Sequence, residues 1–156
     1  MTPAIKLLQQ HRIVHTVREY DHDPASESYG REAAEKLGVP EARVFKTLVV
    51  QLDGKEMVVG VIPVSMLLSM KAIAKAAGGK KADMASPKDV ERTTGYVLGG
   101  VSPLGQKKRL RTVIDSSALE FPTIYISGGR RGLDIELPPQ DLARLLDAGF
   151  AELVQQ

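Results

Sequence analysis

Two stretches of apolar, β-branched residues near the middle of the chain show the strongest pattern. They occupy positions 43–52 and 56–63, and the turn-forming residues "DGK" at 53–55 separate them. This arrangement predicts two antiparallel strands joined in a hairpin. Side chains alternate between the two faces of a strand, and both faces of 43–52 are mostly apolar. We therefore expect other elements to cover the first strand on both sides.

Shorter patterns predict the remaining elements. Further strands are predicted at 13–20, 96–98, 111–115, 123–127 and 133–137, and a loop at 21–30. Cap, proline and glycine signals predict helices from Pro3 to about Gln10, over 31–38, after Ser69, from Ser86-Pro87 to Gly95, and after Pro138-Pro139. Strands follow one another both directly and across helices, which indicates an α/β protein with a mixed sheet and packed helices. The pattern leaves open whether that sheet closes into a barrel.

The composition is that of an ordinary globular protein. The chain has 156 residues, 43% of them hydrophobic and 26% charged, and we interpret 1–156 as one domain. No apolar run is long enough to span a bilayer and no signal-peptide pattern opens the chain, so we expect no membrane partner and a cytoplasmic location. The absence of cysteine excludes disulfides and a protein thiol nucleophile. A net charge of +2 is too small to indicate nucleic-acid binding by itself.

Lys46 is the unusual residue of the first strand. It lies inside "VFKTLVV" at 44–50, on the same face as Val44 and Leu48. An ammonium group in such surroundings must reach water, pair with an anion or shift its pKa. From this stretch alone, a lysine whose stem is buried and whose head reaches solvent is the simpler interpretation, and a functional lysine is the alternative.

The first glycine-rich stretch, "GGVSPLGQKKRLR" at 99–111, resembles a phosphate-binding loop only in part. Gly100 and Gly105 have the required separation, but Gln106 stands where the motif needs lysine. We therefore reject a nucleotide hydrolase. What remains is a loop beside four cations that could face a polyanion or form a solvated turn. Those cations are Lys107, Lys108, Arg109 and Arg111.

The second glycine-rich stretch, "SGGRRGLDIEL" at 127–137, follows an apolar strand. Glycines at the end of a strand allow a ligand to approach the backbone closely. Asp134 alternates away from Leu133 and Ile135 and could face a cleft. The alternative is a plain hairpin turn with a carboxylate in solvent.

No complete catalytic constellation is visible in the sequence. His11 and His15 do not share a face, and His22 lies between Asp21 and Asp23 in what is either a dyad or a polar turn. The hydroxyls of Thr47, Ser102 and Ser127 lie outside any nucleophile-elbow motif. We expect no metal and no cofactor. A hydrolase built from this chain would act through positioning and electrostatics more than through a nucleophile of its own.

Several segments in the same order resemble the YbaK family, the free-standing relatives of the editing domain found in bacterial prolyl-tRNA synthetases. The segments are "MTPAIKLL", "Y-DHDP" at 20–24, "VFKTLVV", "TGYVLGGVSPLGQKKRL" and "ISGGRRGLDIELPPQDL". The resemblance covers essentially the whole chain. It implies a mixed, strongly curved or barrel-like sheet surrounded by helices. It also implies hydrolysis of the ester that joins a wrong amino acid, cysteine, to the 3′ end of tRNA(Pro). Two alternatives stay open: a deacylase for alanine or other small residues, and a non-catalytic module that binds aminoacyl-tRNA or a synthetase.

The resemblance also implies roles for individual residues. Lys46 would hold the aminoacyl-adenosine end of the substrate, with Thr47 beside it, and Asp134 would pair with the substrate's α-amino group. Tyr20 matches a further pocket position. The wall near the ester would consist of Gly99, Gly100 and Ser102, and the opposite rim of Ser127, Gly128 and Gly129.

Two positions depart from the family pattern. Tyr29 stands where phenylalanine is common, which adds a hydroxyl near the expected pocket, and Arg111 stands where many relatives have proline.

The mechanism suggested for the family needs no protein nucleophile, because the thiol of the cysteine substrate attacks its own carbonyl and forms a thiolactone. The basic run at 107–111 is expected to contact the tRNA backbone without base specificity. Selection of tRNA(Pro) is expected to come from a complex with prolyl-tRNA synthetase, since a small, nearly neutral domain lacks a large basic surface.

Overall fold

The computed structural model describes residues 1–26 and 28–156, which form a mixed α/β fold. The helices are α1 (Pro3–Gln10), α2 (Tyr29–Leu37), α3 (Met70–Ala76), α4 (Pro87–Thr94) and α5 (Pro139–Leu146). The strands are β1 (Thr16–Glu19), β2 (Phe45–Leu52), β3 (Glu56–Pro63), β4 (Ala82–Met84), β5 (Arg111–Asp115), β6 (Ile124–Arg130), β7 (Leu133–Leu137) and β8 (Gly149–Ala151). None of the described helices is long and apolar enough to cross a membrane.

The strands form two sheets. The larger sheet has the order β4-β2-β3-β5-β8, and the smaller one has the order β1-β7-β6. β2 and β3 pair antiparallel from Phe45 opposite Pro63 to Leu52 opposite Glu56, so the predicted hairpin is confirmed. Asp53 and Gly54 at its turn both have positive φ, 54° and 67°, as tight hairpin turns require. β3–β5 and β5–β8 pair in parallel, which makes the larger sheet mixed.

β2 separates two hydrophobic clusters. Phe45 and Val49 belong to the cluster shared with the smaller sheet, whereas Val50 and Leu52 belong to the cluster under α3. The prediction that this strand is covered on both faces is therefore confirmed. The two sheets meet at a parallel bridge between Val44 and Tyr125. The strands do not close into a barrel, and the α/β class holds.

The helix signals gave the correct starts in three cases. The side-chain oxygens of Thr2, Ser69 and Ser86 accept hydrogen bonds from backbone N–H groups in the first turns of α1, α3 and α4. Gly38 and Gly95 end α2 and α4 in the left-handed conformation, with φ of 70° and 82°.

Three element predictions were wrong in extent or type. The predicted strand 96–98 is irregular and ends in a turn at Leu98 and Gly99; the buried Tyr96 hydroxyl donates to the Leu104 carbonyl (2.6 Å) and ties this loop to the core. α2 begins at Tyr29, inside the predicted loop. The strand predicted at 13–20 is reduced to the four residues Thr16–Glu19.

Candidate functional site

A cavity of about 270 Å³ opens between the two sheets, next to the start of α2. Its walls come from β2, the end of β3, β6, β7, α2 and the loop at 98–101. The structure brings together at this cavity seven of the residues singled out in the sequence. They are Tyr20, Tyr29, Lys46, Thr47, Gly99, Ser127 and Asp134.

The cavity exposes a short edge of β2 that is unpaired among the described residues. β4 pairs only with Val50–Leu52, and the smaller sheet touches this edge at Val44. Just before β2, the Val44 carbonyl accepts from the Val64 N–H (2.8 Å). Every second residue from Val44 onward, including Lys46 and Leu48, therefore forms its backbone hydrogen bonds with β3. Thr47 falls between them, and its N–H and C=O therefore point away from β3 toward the cavity. Its hydroxyl is buried without a hydrogen-bond partner among the described residues.

Lys46 reaches the same cavity from β2. Its Nζ lies 3.4 Å from the Val64 carbonyl oxygen, and none of the ion pairs between described residues involves it. Burial, and then the nearby charge of Arg31, lower the pKa of Lys46 below its ordinary value. A half-buried ammonium without a carboxylate partner favours an anionic or strongly polar ligand.

Asp134 lies across the cavity on β7. In the ladder it stands opposite Ser127 on one side and Arg18 on the other. The Arg18 guanidinium turns instead to Glu136, at 3.4 Å. Asp134 is only 6% exposed, and burial raises its pKa to about 7. Its carboxyl group is therefore poised between protonation states near neutral pH and would be stabilised as an anion by an incoming cation.

Tyr20 stands beside this carboxylate. Its backbone N–H donates to the Gly132 carbonyl (2.9 Å), which fixes the end of β1 against the turn between β6 and β7. Burial, and then the charge of Asp134, raise the pKa of the Tyr20 phenol to about 12. Tyr20 is thus a neutral hydrogen-bonding group at neutral pH.

The start of α2 is fixed by two contacts. The buried carboxylate of Glu32 accepts hydrogen bonds from the His22 ring (2.6 Å) and from the Asp23 N–H (2.8 Å). His22 therefore anchors the preceding loop to α2, and its partner is Glu32, not the neighbouring Asp21 or Asp23.

Gly30 allows α2 to approach β3, because a Cβ at this position would lie 2.3 Å from a methyl group of Val64.

Four predicted wall residues lie behind the cavity surface and are not among the described residues that line it. Gly100 packs against the backbone of Arg130, and its N–H donates to the Val97 carbonyl (2.9 Å). Ser102 is fully buried and accepts from the Leu104 N–H (3.2 Å). Gly128 and Gly129 pack against Leu133 and Tyr96. These four residues pack next to residues that line the cavity, and their direct contact with the ester stays a prediction.

The basic run at 107–111 is not among the described residues that line the cavity. The N–H groups of Lys107 and Lys108 donate to the carbonyls of Thr94 and Thr93 at the end of α4, and the side chains of Lys107, Lys108 and Arg109 are exposed. Arg111 forms a two-pronged ion pair with Glu56, at 3.2 and 2.9 Å. A contact of this run with the tRNA backbone stays a prediction.

Sequence reasoning missed Arg130 and Arg31. Arg130 lines the cavity, and Arg31 is near enough to Lys46 to influence its pKa. Arg130 belongs to the quoted "GGRRG" stretch, whose arginines between glycines were a usable signal. Arg31 is an ordinary polar residue at the start of a predicted helix, and the sequence around it carries no such signal.

The family model of the aminoacyl-tRNA editing domain matches residues 23–145. The matched range contains β2, the cavity loop at 98–101 and β7. The chain therefore belongs to the aminoacyl-tRNA editing domain family, a family of hydrolases that act in translation fidelity.

Individual relatives agree over almost the entire chain. A protein of Enterococcus faecalis named "Putative Cys-tRNA(Pro)/Cys-tRNA(Cys) deacylase EbsC" is 39% identical over 153 residues, which cover 97% of this chain and 92% of that protein. The crystal structure of the hypothetical protein APE2540 superimposes with a TM-score of 0.88 at 25% identity, covering 99% of this chain and 100% of that one. A structure described as a "putative trans-editing enzyme for prolyl tRNA synthetase" gives a TM-score of 0.82 at 24% identity, covering 100% and 99%, and supports the fold.

Proposed function

We propose that this protein is a deacylase that hydrolyses mischarged Cys-tRNA(Pro). The observation that carries the proposal is that Lys46, which has no carboxylate partner among the described residues, and the buried Asp134 line the same small cavity. An aminoacyl ester of tRNA presents a phosphate-bearing nucleoside on one side and an α-ammonium group on the other. Its charges are complementary to these two residues.

The size of the cavity fits this substrate. About 270 Å³ is slightly below the range of roughly 300–1,000 Å³ typical of small-molecule pockets. A small aminoacyl group can enter, while most of the nucleotide chain stays outside. Lys46 would then hold the nucleoside end at the entrance, and Asp134 and Tyr20 the amino end inside.

The unpaired edge of β2 supplies the hydrogen bonds that the ester needs. We propose that the Thr47 N–H donates to the ester carbonyl and stabilises the oxyanion that forms on it. The Gly100 N–H already donates to Val97, which favours Thr47 for this role. Gly99 and Ser127 would form the adjacent walls, and Gly100, Ser102, Gly128 and Gly129 would support them from behind.

The substrate's own thiol is the proposed nucleophile. The hydroxyls of Ser127 and Thr47 lack the pairing of an activated nucleophile: Ser127 Oγ accepts from the Gly129 N–H (3.1 Å), and the Thr47 hydroxyl has no partner among the described residues. The cysteine sulfur would attack the ester carbonyl, the C–O bond to the ribose would break, and the thiol proton would pass to the departing 3′ oxygen. The products are free tRNA and a cysteine thiolactone, which water then opens to cysteine.

Deacylation of Cys-tRNA(Pro) beside Ala-tRNA(Pro), with the wild type and Lys46→Ala, tests the proposal. Rapid loss of cysteine alone, abolished in the variant, is the expected result. Equal loss of alanine would give the site a broader small-residue specificity and overturn the thiol mechanism. No cleavage of either ester would overturn the deacylase and leave a module that binds aminoacyl-tRNA.

We also propose the partners and the extent of the functional unit. Residues 1–156 would act as one editing domain in the cytoplasm, where charged tRNA is consumed, and prolyl-tRNA synthetase would supply selectivity for tRNA(Pro). Strong preference of the purified protein for tRNA(Pro) over another cysteinylated tRNA would contradict the role of the synthetase.

A further inference from the structure

Three arginines stand around the opening of the cavity, in addition to Lys46. Arg130 lines it from the end of β6. Arg31, in the first turn of α2, directly follows the lining residues Tyr29 and Gly30 and lines a neighbouring depression that shares Ser28 with the cavity. The guanidinium of Arg131 lies over the ring of Tyr29, which is itself a lining residue, at 3.9 Å from the ring centroid. Three arginines from two segments of the chain therefore lie at or beside the cavity that Lys46 lines.

Nearby carboxylates compensate these charges only weakly. Arg31 is 3.5 Å from Glu41 and Arg130 is 3.8 Å from Glu19, and both pairs are well exposed, where screening makes ion pairs weak. No acidic partner of Arg131 appears among the ion pairs of the described residues. Like charges gathered at one opening repel one another, so the arrangement is favourable once an anion enters.

The backbone geometry holds Arg131 in place. Its guanidinium donates to the Leu98 carbonyl (3.1 Å) while it stacks on Tyr29. Gly99 makes room for this contact, because a Cβ there would lie 2.5 Å from Arg131 Nε and 2.8 Å from the Tyr29 ring. A guanidinium carries five N–H donors in a planar fork, so Arg131 retains donors for a second oxygen ligand.

We propose that Arg31, Arg130 and Arg131 form a phosphate-binding rim for the single-stranded 3′ end of the tRNA. Consecutive phosphodiesters of the nucleotides before the terminal adenosine would lie on this rim, while the aminoacyl group enters the cavity. Guanidinium groups suit this ligand, since they bind phosphate oxygens in pairs. The inference rests on the proposed function and adds residues that determine how the acceptor strand approaches.

The rim and the basic run at 107–111 are separate surfaces. The rim surrounds the cavity, whereas the run begins at the end of α4 and Arg111 is held by Glu56. Removing two charges from each surface distinguishes the two routes for the strand. The exposed Lys71 and Lys75 on α3 provide a third variant with the same change in net charge.

Kinetics test the rim with the variants Arg31→Gln/Arg130→Gln, Lys107→Gln/Lys108→Gln and Lys71→Gln/Lys75→Gln. KM is measured for Cys-tRNA(Pro) over a series of KCl concentrations, and for 3′-cysteinyl adenosine, which lacks phosphates. For the arginine variant we expect KM on tRNA to rise on the order of tenfold more than on the adenosine ester. The slope of log KM against log salt should fall by about 1.4, since each single-strand phosphate contact contributes about 0.7. An equal loss on both substrates, or the same fall in slope for either lysine variant, would overturn the rim.

A binding measurement separates this inference from the deacylase proposal. Fluorescence anisotropy with a labelled RNA of sequence ACCA that carries no amino acid reports strand binding without turnover. Binding whose salt dependence is reduced in the arginine variant, from a protein that cleaves no ester, would support the rim and overturn the deacylase. Cleavage by the wild type, with the same salt dependence of RNA binding in the wild type and the arginine variant, would support the deacylase and overturn the rim.

Discussion

The guanidinium carbon of Arg131 lies over the ring of Tyr29, 3.9 Å from its centroid, and the contact joins the turn between β6 and β7 to the first residue of α2. We expect Arg131→Ala to lower the free energy of unfolding by about 0.5–2 kcal/mol, the range of a cation–π contact. Tyr29 would lose its support, so KM for the aminoacyl ester should also rise. Thermal unfolding and deacylation kinetics measure both effects. Tyr29→Phe is the matched control for unfolding, because it keeps the ring. A Tyr29→Phe variant destabilised as much as Arg131→Ala would show that the hydroxyl, and not the stack, carries the contact.

The contact between Arg131 and Tyr29 requires a glycine at position 99. Its φ is +88°, and an added Cβ would collide with Arg131 and Tyr29. Gly99→Ala therefore combines backbone strain with a clash. Gly38 has a similar φ of +70° and open space around it, so Gly38→Ala measures the backbone strain alone, about 1–2 kcal/mol. Urea unfolding of both variants should show a clearly larger loss for Gly99→Ala. Equal losses would mean that the loop at 98–101 moves aside at no cost.

Asp134 predicts a particular pH dependence of stability. Burial raises the pKa of its carboxyl group to about 7, whereas in the unfolded chain it ionises near pH 4. Between these values the unfolded state loses a proton that the folded state retains, so stability falls as the pH rises from about 4 to 7. The loss is at most about 4 kcal/mol. Asp134→Asn should remove this decline and unfold at a higher temperature than the wild type at pH 8. Parallel pH profiles of the two proteins would contradict the raised pKa.

Thr47 predicts opposite effects on stability and activity. Its hydroxyl is buried without a partner among the described residues, a situation that costs about 1–3 kcal/mol. Thr47→Val keeps the shape and removes the polar group, so it should raise the free energy of unfolding by about 1 kcal/mol. If the hydroxyl contacts the substrate, kcat/KM falls in the same variant. Thr47→Ser, which keeps the hydroxyl, should retain more activity than Thr47→Val. Equal activity of all three proteins would leave the hydroxyl without a role in turnover.

Much of the site could be predicted because strand periodicity decides which side chains share a face. Lys46 and Asp134 interrupt apolar strands, and both line the cavity. The hairpin was predictable because a long apolar pattern and a turn signal agree. β4 and β8 were not, because three residues are too few for a period to show.

Other features depend on tertiary contacts that sequence spacing cannot reveal. Tyr96 to Leu98 read as a strand, but the Tyr96 hydroxyl bonds to Leu104 and the segment turns. The stacking of Arg131 on Tyr29 brings together residues from distant parts of the chain. Ser102 and Gly100 were expected on the cavity wall, but they pack against neighbouring backbone and are not among the described residues that line the cavity.

The unpaired edge of β2 also has a consequence for association between copies of the protein. A strand edge with free N–H and C=O groups is a template on which another chain can add a strand, and such edges promote aggregation. Here the open segment around Thr47 lines a cavity, between α2, the loop at 98–101 and the smaller sheet. We expect these surrounding elements to leave no room for a full strand from another molecule. The walls of the cavity would then keep these backbone groups available to a small ligand without exposing them to a neighbouring molecule.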